Sequence, residues 1–368
     1  MEKEGTLLKS LRFPLIGLGG LSLLAAIWAG LVRMGWNLVV PTRSFPAAHG
    51  PLMIVGFLGT VIGLERAVAS KKPWAYGAPL FAALSALVQL AGLPARWSQS
   101  FAVISAVILV AIFCFLWWQQ HESYMVIIGL GALIWLIGNS LWFYGYPYFI
   151  VAAWWAGFLV LTIAGERLEL SRLRRLSVGS RMMFFFAIAA FVLGLASMSV
   201  SQPGSRVAGI GLIAIAAWLL RWDVAWRTLR IAGLPRFMAV ALLSGYVWLL
   251  AAGVLWIIYA GDFVGGPRYD AMLHSLFLGF VFTMIFAHAP IILPSVMDVS
   301  MPFQDSFYAH LVLLHLSLFL RIGADLTRSQ PARMWGGLLN VAAILLFLAN
   351  NIRAVAIGNK AAYSQGGR

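Results

Sequence analysis

Cysteine and acidic residues are scarce in this sequence, and each scarcity excludes something. The single cysteine, Cys114, lies inside an apolar run. That rules out a disulfide within the chain, a thiolate zinc site and the CxxCH attachment of a c-type haem, so any haem would be held without covalent bonds. Asp and Glu together number 12 and charged residues make up 10% of the 368 positions, whereas 62% are apolar and the mean hydropathy is +0.89. A soluble domain of this length could not hide so much apolar surface, which points to an all-α polytopic membrane protein in contact with a lipid bilayer. Lys and Arg outnumber the acids by 26 to 12. They gather between apolar runs, where they set orientation and meet anionic headgroups, so the basic excess does not imply nucleic acid.

What the sequence has in plenty is apolar stretches of bilayer length. Runs at 11–32, 47–69, 74–93, 97–118, 123–145, 147–170, 179–200, 204–222, 237–260, 269–297, 305–324 and 334–353 predict twelve transmembrane helices. Prolines punctuate the joints, among them Pro41, Pro73, Pro94, Pro147, Pro203, Pro235, Pro267 and Pro331. The opening MEKEGTLLKSLRF leads into an apolar run too long for a signal peptide, which predicts a retained first span. Short connections predict antiparallel neighbours in a single domain over 1–353, followed by a polar, mobile tail at 354–368. With the N-terminus inside, eighteen of the 26 basic residues fall on the cytoplasmic side, Arg175 and Arg368 among them. The outer side keeps Arg33, Arg43, Arg96, Arg206, Arg268, Arg321, Arg328 and Arg333, so the bias predicts both termini in the cytoplasm of a bacterial-type inner membrane.

Three segments align without gaps: GFLGTVIGLER from Gly56, GFLVLTIAGER from Gly157 and GFVFTMIFAHA from Gly279. They belong to the second, sixth and tenth runs, which predicts three parallel four-helix repeats. The ninth residue after each glycine is Glu65, Glu166 or His288. These could be proton-relay carboxylates beside a histidine, or helix-end ion pairs with Arg66 and Arg167.

Histidines inside apolar runs need partners. His49 opens the second run and His274 stands near the start of the tenth, at the outer end by the orientation above, so both could donate an imidazole to one porphyrin iron. Bonding to water or a carbonyl at the interface is the competing account. Gly56 and Gly63 lie on the face of His49 and leave room for a flat ligand or for a close neighbouring helix. Arg43, Arg268, Arg328 and Arg333 sit near outer helix ends, suited to propionates and equally to interfacial anchoring. His288 and His315 come at matching depths on consecutive antiparallel runs, as a second iron or copper site or as structural hydrogen-bonding groups.

Twelve predicted helices in three groups of four, with HGPLMIVGF opening the second and LHSLFLGFVFTM in the tenth, resemble subunit I of the haem-copper oxidases and its relative, the NnrS family. The resemblance implies a low-spin haem clasped by His49 and His274, with Arg328 and Arg333 on its propionates, and an association with haem, copper and nitric oxide stress. Residues 147–200 contain no histidine, where the oxidases take their copper ligands, so oxygen reduction at a copper centre is disfavoured. What the resemblance leaves is a membrane protein binding a b-type or other non-covalent haem, with copper or a second haem in question. Its partners would be an electron donor or a diatomic gas such as nitric oxide. The alternatives are a permease or metal-ion carrier built on Glu65, Glu166 and His288, and a scaffold with structural histidines.

Overall fold

Backbone N–H and C=O groups find no partners in hydrocarbon, so a chain this apolar closes its hydrogen bonds within each segment and becomes helical. The structure, a computed structural model, describes residues 2–174, 176–198 and 203–366, with no strand among them. Arg175 and Arg368, counted above on the cytoplasmic side, lie outside the described residues.

The principal helices are α1 (Glu2–Met34), α2 (Phe45–Ser70), α3 (Gly77–Leu90), α4 (Ala95–Gln120), α5 (Ser123–Phe143) and α6 (Tyr148–Leu170). They continue with α7 (Val178–Met198), α8 (Pro203–Trp222), α9 (Leu234–Ile258), α10 (Pro267–Met297), α11 (Phe307–Thr327) and α12 (Gln330–Gly366). Eleven of these described helices are long and apolar enough to cross a membrane. The remaining one is α3, where a turn of 3-10 helix at Pro73–Tyr76 leads into only 14 α-helical residues, a rise of about 21 Å. The last helix continues through residues whose sequence reads as a polar tail. Left-handed residues end several helices: Lys71 after α2, His121 after α4, Asp298 after α10 and Arg328 after α11, each accepting a positive φ that closes the last turn.

The chain divides into two compact units, Met1–Phe158 and Leu159–Arg368, where the sequence suggests one domain. In the first unit, helices adjacent in sequence pack together from α1 to α5. In the second, α7 lies against α8, α8 against α9, α9 against α10, and α11 against α12. Small residues let these backbones approach: a Cβ on Gly209 would stand 2.7 Å from the Gly253 carbonyl oxygen, and one on Gly211 would stand 2.5 Å from the Phe191 backbone.

Helices α2 and α10 share a departure from α-helical geometry. Leu52–Gly59 and Ser275–Phe282 are π-helical, with hydrogen bonds reaching one residue further than in an α-helix. Both segments are eight residues long and occupy matching positions when Gly56 is aligned with Gly279. The corresponding stretch of α6 is ordinary α-helix.

Candidate functional site

His49 stands at the start of α2, one turn before its π-helical segment. Its ring packs against α1, where a Cβ on Gly30 would be 2.9 Å from Nδ1, and Nδ1 itself lies 2.7 Å from the carbonyl oxygen of Ala26. A carbonyl only accepts, so Nδ1 carries the proton and the ring's lone pair is on Nε2. This is the arrangement in which a histidine ligates a metal: the far nitrogen is oriented by a main-chain oxygen and the near one is left basic.

The face beside His49 is not a ligand groove. A Cβ on Gly56 would overlap the Ser22 hydroxyl of α1 and come within 2.7 Å of Ala86 of α3, and one on Gly63 would be 3.0 Å from the backbone of Pro79. Both glycines serve close helix contact, and the Ser22 hydroxyl uses that proximity to donate to the Leu52 carbonyl at 2.8 Å, inside the π-helical segment. Glu65 pairs with the adjacent Arg66 at 3.4 Å, the helix-end ion pair that the sequence offers as the simpler account.

In the second unit, His274 closes the first two turns of α10, immediately before the π-helical segment. Its Nδ1 donates to the main-chain oxygen of Asp270 at 3.0 Å and lies 3.3 Å from that residue's carboxylate. Here too the lone pair falls on Nε2, which accepts from Nη2 of Arg321 at 3.2 Å. Asp270 is the hub of a larger group. Arg321 of α11 grips its carboxylate bidentately at 2.9 and 3.0 Å, and Arg333 of α12 reaches it at 3.3 Å. Arg333 also lies 2.7 Å from fully buried Asp325, a charge contact out of alignment for a directed hydrogen bond. Two carboxylates, two guanidiniums and one imidazole thus join α10, α11 and α12 at one end of the unit.

Of the four arginines named as suited to propionates, Arg43, Arg268, Arg328 and Arg333, only Arg333 belongs to this group. Arg268 pairs with Asp262 at 2.9 Å and lies over the Tyr259 ring, Arg328 is the left-handed residue after α11, and Arg43 is exposed in the stretch before α2. The residues that pattern reading missed are Asp270, Arg321 and Asp325. Their signal was present: Asp270 and His274, and likewise Arg321 and Asp325, are four apart on a helix and so share a face, and carboxylates within apolar runs are rare.

His288 resembles His49 and His274, its Nδ1 bonded to the Met284 carbonyl at 2.7 Å. His315 is the opposite tautomer. Its Nδ1 accepts from the Trp248 indole at 3.0 Å and its Nε2 donates to the Ser244 hydroxyl at 3.0 Å, so a metal there would have to displace the indole. Among the described residues no group of three or more His, Cys, Asp or Glu side chains converges as a metal cage.

A second buried ion cluster takes up the arginine that follows Glu166. Arg167 donates from Nε and Nη2 to the two carboxylate oxygens of Asp223, both at 2.7 Å. Tyr246 donates to the same carboxylate at 3.0 Å and the Ala225 backbone N–H at 2.7 Å. The chain has no match among curated proteins. A family model described as a domain of unknown function, DUF8744, matches residues 12–356, and the chain belongs to that family.

Proposed function

We propose that this protein is a membrane haem-binding protein in which Nε2 of His49 and Nε2 of His274 would hold the iron. The supporting observation is the tautomer: each ring donates from Nδ1 to a main-chain carbonyl and carries its lone pair on Nε2. For His49 the carbonyl comes from a neighbouring helix, so the ring's orientation is imposed by packing as well as by its own backbone. For His274 the Asp270 carboxylate beside Nδ1 makes the imidazole a stronger donor, and Arg321 must release Nε2 before a metal can take it. The bound group would supply a one-electron couple while both histidines hold it, and a coordination position for a diatomic gas only where one histidine is displaced. Electron transfer or the binding of nitric oxide fits that chemistry, as the resemblance to the NnrS family implies. The paired π-helical segments in α2 and α10 support the repeat reading in those two helices, within an architecture of three parallel four-helix repeats resembling haem-copper oxidase subunit I. We place both termini in the cytoplasm of a bacterial-type inner membrane on the basic-residue bias.

Purified protein is expected to show a Soret band that is lost in His49→Ala and in His274→Ala. An unchanged spectrum in both variants would refute the assignment. The second reading, a permease or metal-ion carrier using Glu65, Glu166 and His288, draws on the ion cluster around Asp270, since charge held within membrane helices is costly and is retained for function. It predicts colourless protein and loss of flux in Glu166→Gln.

A further inference from the structure

The stretch joining α8 to α9, read from Arg221 to Phe237, is RWDVAWRTLRIAGLPRF. It carries four arginines and one acid. That acid, Asp223, is buried and turned inward, where its two oxygens take up Arg167, Tyr246 and the Ala225 N–H. Its negative charge is therefore spent beneath the loop, while Arg221, Arg227, Arg230 and Arg236 are exposed above it. Trp226 and Ile231 are interleaved with them and about half exposed, at 49% and 53%.

The loop is built before any ligand arrives. The Asp223 carboxylate accepts the Ala225 N–H at the start of a short helix, Ala225–Thr228, the Trp226 indole donates to the Leu220 carbonyl at 2.6 Å, and Arg236 Nε donates to the Leu229 carbonyl at 3.2 Å. Arg174, from the turn after α6, adds a fifth guanidinium by donating to the Asp223 carbonyl at 3.0 Å. Because α8 and α9 are both membrane-length helices, a loop this short between them must lie at the bilayer boundary. Arginine forks match phosphate oxygens bidentately, and a tryptophan and an isoleucine at that depth reach acyl chains. A solvated basic loop would need neither the exposed apolar pair nor a buried carboxylate that leaves its arginines without an acid in the same loop.

We propose that this arginine-rich loop is a binding site for the phosphate headgroup of an anionic phospholipid. Clusters of this size beside a transmembrane helix attract anionic lipid at about 1 kcal/mol per basic residue, so removing two charges should weaken binding by roughly 10- to 30-fold. The test uses full-length protein in nanodiscs of phosphatidylcholine containing a titrated fraction of phosphatidylglycerol, with retained lipid counted by mass spectrometry after extraction. The wild type is expected to enrich phosphatidylglycerol over phosphatidylcholine. Arg227→Gln with Arg230→Gln should lose that enrichment, while Lys71→Gln with Lys72→Gln, which removes the same charge from the loop after α2, should keep it. Equal retention of the two lipids by the wild type would overturn the proposal, as would equal loss in both double variants, which would mean that only overall charge matters. Excess inorganic phosphate should not compete. Full displacement by it would identify a soluble anion site and sink the lipid assignment. An unaltered melting temperature of the Arg227 and Arg230 double variant in pure phosphatidylcholine discs separates lost binding from lost folding.

Discussion

Asp223 and Asp270 are both aspartates of the second unit, both gripped bidentately by an arginine, and they differ in what else they touch. Around Asp223 the account is closed: four donors, two of them from Arg167 and one each from Tyr246 and a backbone N–H, meet one carboxylate that is 1% exposed. Asp270 is shared between Arg321, Arg333 and His274, and Arg333 divides its charge between Asp270 and Asp325. One arrangement has a single way to be satisfied. The other has several partners that can trade places, including an imidazole with its lone pair aimed outward from the carboxylate. A buried pair of the first kind holds helices together, and a group of the second kind can respond when one member is engaged by something else.

The largest effect expected from breaking this contrast is at Arg167. Arg167→Met leaves Asp223 buried with its charge uncompensated, a loss of about 3–5 kcal/mol. Unfolding in micelles by titration with sodium dodecyl sulfate would measure it. A cost below about 1 kcal/mol would mean that the cluster is wet and is no staple.

The two clusters also mark where sequence was and was not informative. Helix positions were legible because apolar run length alone decides them: the runs at 47–69 and 269–297 became Phe45–Ser70 and Pro267–Met297. Only α3 fell short, since Pro73 opens it with a tight turn and Gly92 ends the stretch with a positive φ. The histidines were noticeable because they interrupt apolar runs, but their tautomers were not, because Nδ1 of His49 depends on a carbonyl 23 residues earlier on another helix. Arg167 and Arg321 were read as boundary charges. Their acids lie 56 and 51 residues away in sequence, and no periodicity within one helix reports a partner on another.

An intermediate effect is expected at Arg321. In Arg321→Met the Asp270 carboxylate loses its two shortest contacts but keeps Arg333 and His274 at 3.3 Å, so the destabilisation should be about 2 kcal/mol, smaller than at Arg167. The same titration measures it, and a cost equal to that of Arg167→Met would erase the distinction between the two aspartates. Arg321 gives no donor to iron, so a Soret band present in the wild type should survive this substitution and disappear in His274→Ala.

The smallest effect belongs to the Tyr246 hydroxyl. Tyr246→Phe removes one of the donors to Asp223, yet Arg167 Nε still meets the same oxygen at 2.7 Å, so the expected cost is about 1 kcal/mol. Its value changes with its neighbour. Once Arg167 is replaced by Met, Tyr246 becomes the remaining side-chain donor of the cluster to that oxygen, and removing its hydroxyl should then cost more than it does alone. A double-mutant cycle over Arg167→Met and Tyr246→Phe should give a coupling of about 0.5–3 kcal/mol, because residues that share one carboxylate do not act independently. Strict additivity would mean that the hydroxyl and the guanidinium stabilise Asp223 separately, and the closed character assigned to this cluster would then belong to Arg167 alone.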